Sequence, residues 1–185
     1  MSLLHLLPVG TVEGRLLVEL RRELEAMFKV RCDVIRRPLD PEFAFHPERM
    51  QYHSTELLER LRNEVAPDSW RLLAVAQVDL FMPILTFVFG EAQISDKCAV
   101  VSVHRLRQEF YGLPADRQRL QERLLKEAVH ELGHTLGLTH CRDYGCAMAA
   151  SHSVEWIDIK GREFCANCYA RVHGLIPEKK LFGIF

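Results

Sequence analysis

The sequence predicts an α/β (α+β) fold: a twisted, mixed sheet flanked by helices, with one antiparallel edge strand and a small C-terminal segment rich in cysteine. Three observations carry this. In the first half, apolar runs alternate with amphipathic patterns in the order strand, helix, strand, helix, strand, which asks for parallel pairing. The runs "ILTFVFGEAQ" and "CAVVSVHRL" follow one another with no helix between them, so one of the two pairs antiparallel at an edge. Beyond Gly137 the composition shifts, and four of the six cysteines crowd into residues 141–168.

The elements follow in order. "LLHLLPVG" reads as a buried first strand. "EGRLLVELRRELEAMF" reads as a helix with Leu16, Leu17, Leu20, Leu24 and Met27 on one face. "KVRCDVIRRP" alternates at period two until Pro38 stops it. A proline-rich connection leads to Ser54, expected to cap a helix "TELLERLRNEVA" that buries Leu57, Leu58, Leu61 and Val65. "RLLAVAQVDLF" is the next strand. Asp116 is the expected N-cap of a long helix through Leu136, and Gly137 lies where a left-handed stop is wanted. "EWIDIKGREF" alternates enough to be a hairpin turning near Gly161.

At 185 residues, with 48% apolar and 26% charged residues, the chain has the make-up of one soluble globular domain. The expected division is an α/β part over 1–137 that includes the long helix, and a small part over 138–185. A net charge of −1 gives no long-range attraction to nucleic acid or to an anionic membrane. No apolar run approaches the roughly 18 residues of a membrane helix. The start "MSLLHLLPVG" lacks a basic leader and a cleavage site, so we expect a cytoplasmic protein, acting as a monomer.

The stretch "AVHELGHTLGLTHCRDYGC" carries the chemistry. On a helical wheel over 118–136 the leucines fill one half, while His130 and His134 fall on the other, beside Arg123 and Glu127. Side chains at i and i+4 share a face, so both imidazoles can reach one ion. Glu131 lies at the edge of that face, poorly aligned to ligate but well placed to touch a metal-bound water. Gly137 would turn the chain so that His140 approaches from another side. Three neutral histidines leave a fourth position open, the arrangement of catalytic zinc. The pattern His-Glu-x-x-His-x-x-Gly-x-x-His is that of the metzincin zinc peptidases.

Cys141, Cys146, Cys165 and Cys168 form two close pairs, the make-up of a closed tetrahedral zinc site. Four thiolates leave no open position, so this second zinc would be structural, ordering a segment too small to bury its own core. Because Cys141 adjoins His140, losing that zinc should misplace the third histidine. Cys32 and Cys98, alone in apolar runs, read as small buried hydrophobes. His46, His53 and His104 lack partners at ligand spacing, and His152 reads as a loop histidine.

"HELGHTLGLTHC", then "CAM", then "CANC" resembles the archaemetzincins, and "ERMQYHST", "DLFMPILTFVFGEAQ" and "AVVSVHRL" extend the resemblance over nearly the whole chain. The resemblance implies a metzincin-like fold with an active-site helix, a second zinc on the four cysteines, and a methionine turn at Met148. No tyrosine follows in "MAAS", so the tyrosine some metzincins place beside that turn is absent. It also implies a zinc-dependent peptidase taking a peptide or protein substrate, with two zinc ions per chain. Zinc on His130, His134 and His140 would then activate water, Glu131 would be the general base, and an extended peptide would lie along Phe87 to Gln93. The competing expectation is a catalytically silent, zinc-containing peptide-binding or interaction module. Retention of Glu131, which binding alone would not need, favours the enzyme.

Overall fold

The computed structural model describes residues 3–177. Its main sheet has five strands in the order β2-β1-β5-β8-β7, where β1 is Leu3–Val9, β2 Arg31–Val34, β5 Ser69–Ala76, β7 Gly90–Ala92 and β8 Cys98–Ser102. The first four pair in parallel, and β7 closes one edge antiparallel to β8 with Gly90 opposite Val101. A small second sheet joins β3 (Phe45–His46), β4 (Gln51–His53) and β6 (Leu80–Phe81).

Helix α1 (Gly14–Phe28) and helix α3 (Arg117–Thr135) cover one face of the sheet, and α2 (Ser54–Leu61) covers the other. Burial follows the helical spacing: α1 buries Leu16, Leu17, Leu20, Leu24 and Phe28, with Met27 packed at the margin. On the sheet, Leu73 and Val75 point to the α1/α3 side while Leu72, Ala74 and Ala76 point to α2, the period-two alternation of a strand buried on both faces. The larger core runs without a break into Leu138, Met148, Ile157 and Val172.

Several expectations need correction. Ser54 is not the cap of α2: His53 precedes the helix with its Nδ1 accepting from the Glu56 N–H at 3.3 Å, and Ser54 is buried, donating to the Phe81 carbonyl at 2.9 Å. The run 71–81 breaks after Ala76, and its end supplies β6 to the second sheet. Of residues 84–93 only Gly90–Ala92 is strand. The segment before it is pinned by side chains, since Arg49 Nη2 donates to the carbonyls of Leu85 (2.9 Å) and Thr86 (3.0 Å). "EWIDIKGREF" is not a hairpin. It holds helix α4 (Val154–Ile159), which buries Val154 and Ile157 at i, i+3, and helix α5 (Ala166–Val172) follows.

Asp116 caps α3, accepting from the Arg119 N–H at 2.9 Å. Gly137 follows the helix with φ +91°, a conformation that suits glycine. The polar half of α3 is nonetheless buried: Arg123, Glu127, His130 and Glu131 are all within the interior. The C-terminal segment covers that side, pairing Asp158 bidentately with Arg123 at 2.7 Å. No described helix is long and apolar enough to cross a membrane.

Candidate metal centre

Helix α3 carries His130 and His134 one turn apart, and the turn at Gly137 returns His140 to them. The candidate ligand nitrogens of the three all lie within 4.8 Å of one another. The helix end that sets this geometry is well tied down. Arg71 donates to the Thr135 hydroxyl (2.9 Å) and carbonyl (3.2 Å), and the Ser95 and Gly137 N–H groups reach the His134 carbonyl at 3.1 and 2.9 Å.

Hydrogen bonds fix which ring nitrogen faces inward. His130 Nδ1 lies 2.8 Å from the Ala147 carbonyl, and His134 Nδ1 lies 2.8 Å from the Leu138 carbonyl. A carbonyl only accepts, so each Nδ1 carries the proton and each Nε2 presents a lone pair. Those two Nε2 atoms are 3.1 Å apart, with nothing to donate between them. Burial lowers the pKa of all three histidines below the ordinary value, most for His130, where the Lys160 ammonium adds to the effect. Two lone pairs so close call for a cation. Nitrogen ligands at roughly 2.0–2.1 Å around tetrahedral zinc lie about 3.3 Å apart, which these positions match closely.

Glu131 is buried, and its pKa is raised well above the carboxylate norm by burial first and by the neighbouring Glu127 second. Its carboxylate lies under the edge strand. A Cβ on Gly90 would come within 2.7 Å of Glu131 Oε1 and 2.6 Å of the Val100 carbonyl. Gly90 therefore leaves the space that the carboxylate fills. On the opposite face of β7, Glu91 accepts from the Thr55 hydroxyl at 2.9 Å.

Met148 is fully buried under α3, and a Cβ on Gly133 would lie 2.3 Å from its Sδ. The glycine inside the motif thus lets the methionine rest against helix backbone.

The sulfurs of Cys141, Cys146, Cys165 and Cys168 likewise lie within 4.8 Å of one another. Sulfurs bound at about 2.3 Å to one tetrahedral zinc are about 3.8 Å apart, and Cys141 Sγ to Cys165 Sγ is 3.8 Å. Backbone N–H groups point at the cluster, from Cys165 (3.2 Å) and Met148 (3.4 Å) to Cys146 Sγ and from Asp143 (3.4 Å) to Cys141 Sγ. Such donors favour thiolates. Burial pushes the Cys168 thiol up, whereas the Cys168 N–H draws Cys165 down. The two clusters share backbone: the Cys141 N–H donates to the Met148 carbonyl at 2.9 Å.

Cys32 and Cys98 are buried hydrophobes as expected, with thiol pKa values pushed by burial to about 12 and about 11. His152 stands outside both clusters among the described residues. The sequence reading missed Gly90, Gly133, and a buried ion pair between Glu127 and Lys160. Glu127 stands four residues before Glu131 and so was visible on the ligand face; nothing in the sequence pointed to Lys160.

The profile of peptidase family M54 matches residues 17–174. The chain is 38% identical over 165 residues to the archaemetzincin of Methanocaldococcus jannaschii, covering 89% of each protein. It is 43% identical over 127 residues to that of Thermococcus kodakarensis, 68% of each. Among solved structures, a zinc-dependent peptidase from Methanocorpusculum labreanum superposes with a TM-score of 0.84 at 31% identity, covering 91% of this chain and 99% of that one. The archaemetzincin of Archaeoglobus fulgidus complexed with malonate gives 0.79 at 33%, covering 93% and 100%. With the family profile spanning most of the chain and the Methanocaldococcus jannaschii relative covered over 89% of its length, the chain belongs to peptidase family M54, the archaemetzincins, and is a zinc metallopeptidase.

Proposed function

We propose that this protein hydrolyses peptide bonds at a zinc held by His130, His134 and His140, with Glu131 as general base and a second, structural zinc on Cys141, Cys146, Cys165 and Cys168. The observation that carries the reading is the facing pair of Nε2 lone pairs 3.1 Å apart, each fixed by a carbonyl behind it. Zinc bound there would supply Lewis acidity, polarising the scissile carbonyl and making a water acidic enough to lose a proton near neutrality.

Glu131 takes that proton and returns it to the leaving amine. Among the described residues the outer edge of β7 has no strand partner within the sheet, so it can pair with an extended peptide. Residues 138–176 then serve as the brace that holds His140 and Met148 against α3, sharing one continuous core with the rest of the chain. We place the protein in the cytoplasm, where the unpaired Cys32 and Cys98 stay reduced.

The test is elemental analysis joined to a peptide-library assay on the zinc-restored protein. Two zincs per chain with cleavage of extended peptides is expected. One zinc or fewer sinks the two-site reading, and two zincs without any cleavage would make the protein a binding module.

A further inference from the structure

A lysine is buried directly behind the histidine cluster. Lys160, at the end of α4, is 2% exposed. Its Nζ lies 2.7 Å from Glu127 Oε1 on α3, 3.3 Å from the Ala149 carbonyl and 3.4 Å from His130 Nδ1. His130 Nδ1 already donates to Ala147, so the lysine does not donate to the ring. It donates to the Ala149 carbonyl and is ion-paired with Glu127.

We propose that Lys160, paired with Glu127, is a positioning residue for the metal centre: it aligns the turn 146–149 between His130 and the His140–Cys141 backbone. Residues 146–149 form a turn, closed by the Ala149 N–H on the Cys146 carbonyl at 2.9 Å, and Ala149 makes an isolated bridge to Cys141. The Ala147 carbonyl of this turn is taken by His130 and the Ala149 carbonyl by Lys160. The Met148 carbonyl faces away, to the Cys141 N–H. By holding Ala149, the lysine turns Ala147 toward His130 and Met148 toward the residue next to His140. Glu127 anchors it to the helix that carries two of the three ligands.

Stability alone does not account for such a pair. Two charges taken out of water contribute little net stability, and well-packed apolar residues of the same volume would often do better. The inference rests on the ligand assignment made above for the three histidines. Groups that orient a metal ligand from behind typically affect metal affinity 10–100-fold.

The experiment compares full-length wild type, Lys160→Met, and the double variant Glu127→Leu with Lys160→Met. Zinc affinity of the labile site is read by chelator competition, beside total zinc and Tm. Lys160→Met alone strands a buried carboxylate and is expected to unfold more readily. In the double variant Tm should return to near wild type and the cysteine zinc should stay, while affinity at the histidine site remains about 10–100-fold weaker. A folded double variant with wild-type zinc affinity overturns the positioning role and leaves the ligand assignment standing. A wild type that binds no second zinc overturns the assignment itself.

Discussion

Glu131 and Gly90 occupy one space: the carboxylate of the helix residue fills the place where a side chain on the edge strand would be. Gly90→Ala would bring its Cβ to 2.6 Å from the Val100 carbonyl, a backbone atom that cannot swing aside. Either the edge strand or Glu131 must move. We expect Gly90→Ala to lower kcat/KM at least tenfold, about 1.4 kcal/mol of transition-state stabilisation, with both zincs retained. Steady-state kinetics beside a zinc count checks this, and unchanged kinetics would mean that the fit is loose.

Gly133 and Met148 make the corresponding contact beneath the helix. Alanine is the better helix former by about 1 kcal/mol, but its Cβ would sit 2.3 Å from a sulfur with no solvent to retreat to. Overpacking costs typically 1–3 kcal/mol, so sterics outweigh propensity. Gly133→Ala should lower stability by about 1 kcal/mol, and Gly133→Ala with Met148→Ala should tolerate the glycine change better. Denaturant titration of the four forms measures that coupling.

Acid should weaken the zinc-free fold. The three histidines have folded pKa values below their ordinary 6.5, so the unfolded chain binds more protons and stability falls as pH drops through that value. Glu131 works in the opposite sense: its folded pKa lies above 4.5, so its contribution improves on acidification. Three histidines outweigh one carboxyl, and the Tm of the zinc-free protein should fall between pH 7 and 5.5. Glu131→Gln removes the opposing group and should steepen that fall. A slope unchanged by the substitution would contradict the sign assigned to Glu131.

Cys168→Ser should behave as a folding defect. Structural zinc contributes on the order of 10 kcal/mol to small metal-bound segments, and at roughly 2–4 °C per kcal/mol even a third of that is about 10 °C in Tm. The expected result is one zinc lost, early proteolysis beyond His140, and weakened zinc at the histidine site through the Cys141–Met148 link. Unchanged zinc content and digestion pattern would remove the structural role.

How far the sequence could be read depended on the range of the interactions that fix each element. The leucines of α1 and α2 recur at helical spacing, and both helices bury them as read. The clustering of His130, His134 and His140 is equally legible, because i, i+4 geometry and a glycine turn are local. Segment 154–159 is a helix where a hairpin is expected because six residues alternate and turn equally well, and burial of Val154 and Ile157 under α3 decides between the two. The strand expected over residues 84–93 is cut short by a distant side chain, Arg49, holding the Leu85 and Thr86 carbonyls. The burial of the polar half of α3 is not legible locally, because its partners, Asp158 and Lys160, lie some thirty residues further along the chain.

The central claim is that Glu131 moves the proton while the three histidines hold the metal. Kinetics of Glu131→Gln, with zinc counted on the same sample, test it most directly. Glutamine keeps the volume beneath Gly90 but cannot accept a proton from water, so zinc content should stay at two. Turnover of a cleavable peptide should fall by roughly 10²–10⁴-fold. His134→Ala provides the contrast, losing the histidine-bound zinc and keeping the other. Full activity in a two-zinc Glu131→Gln protein would contradict the account.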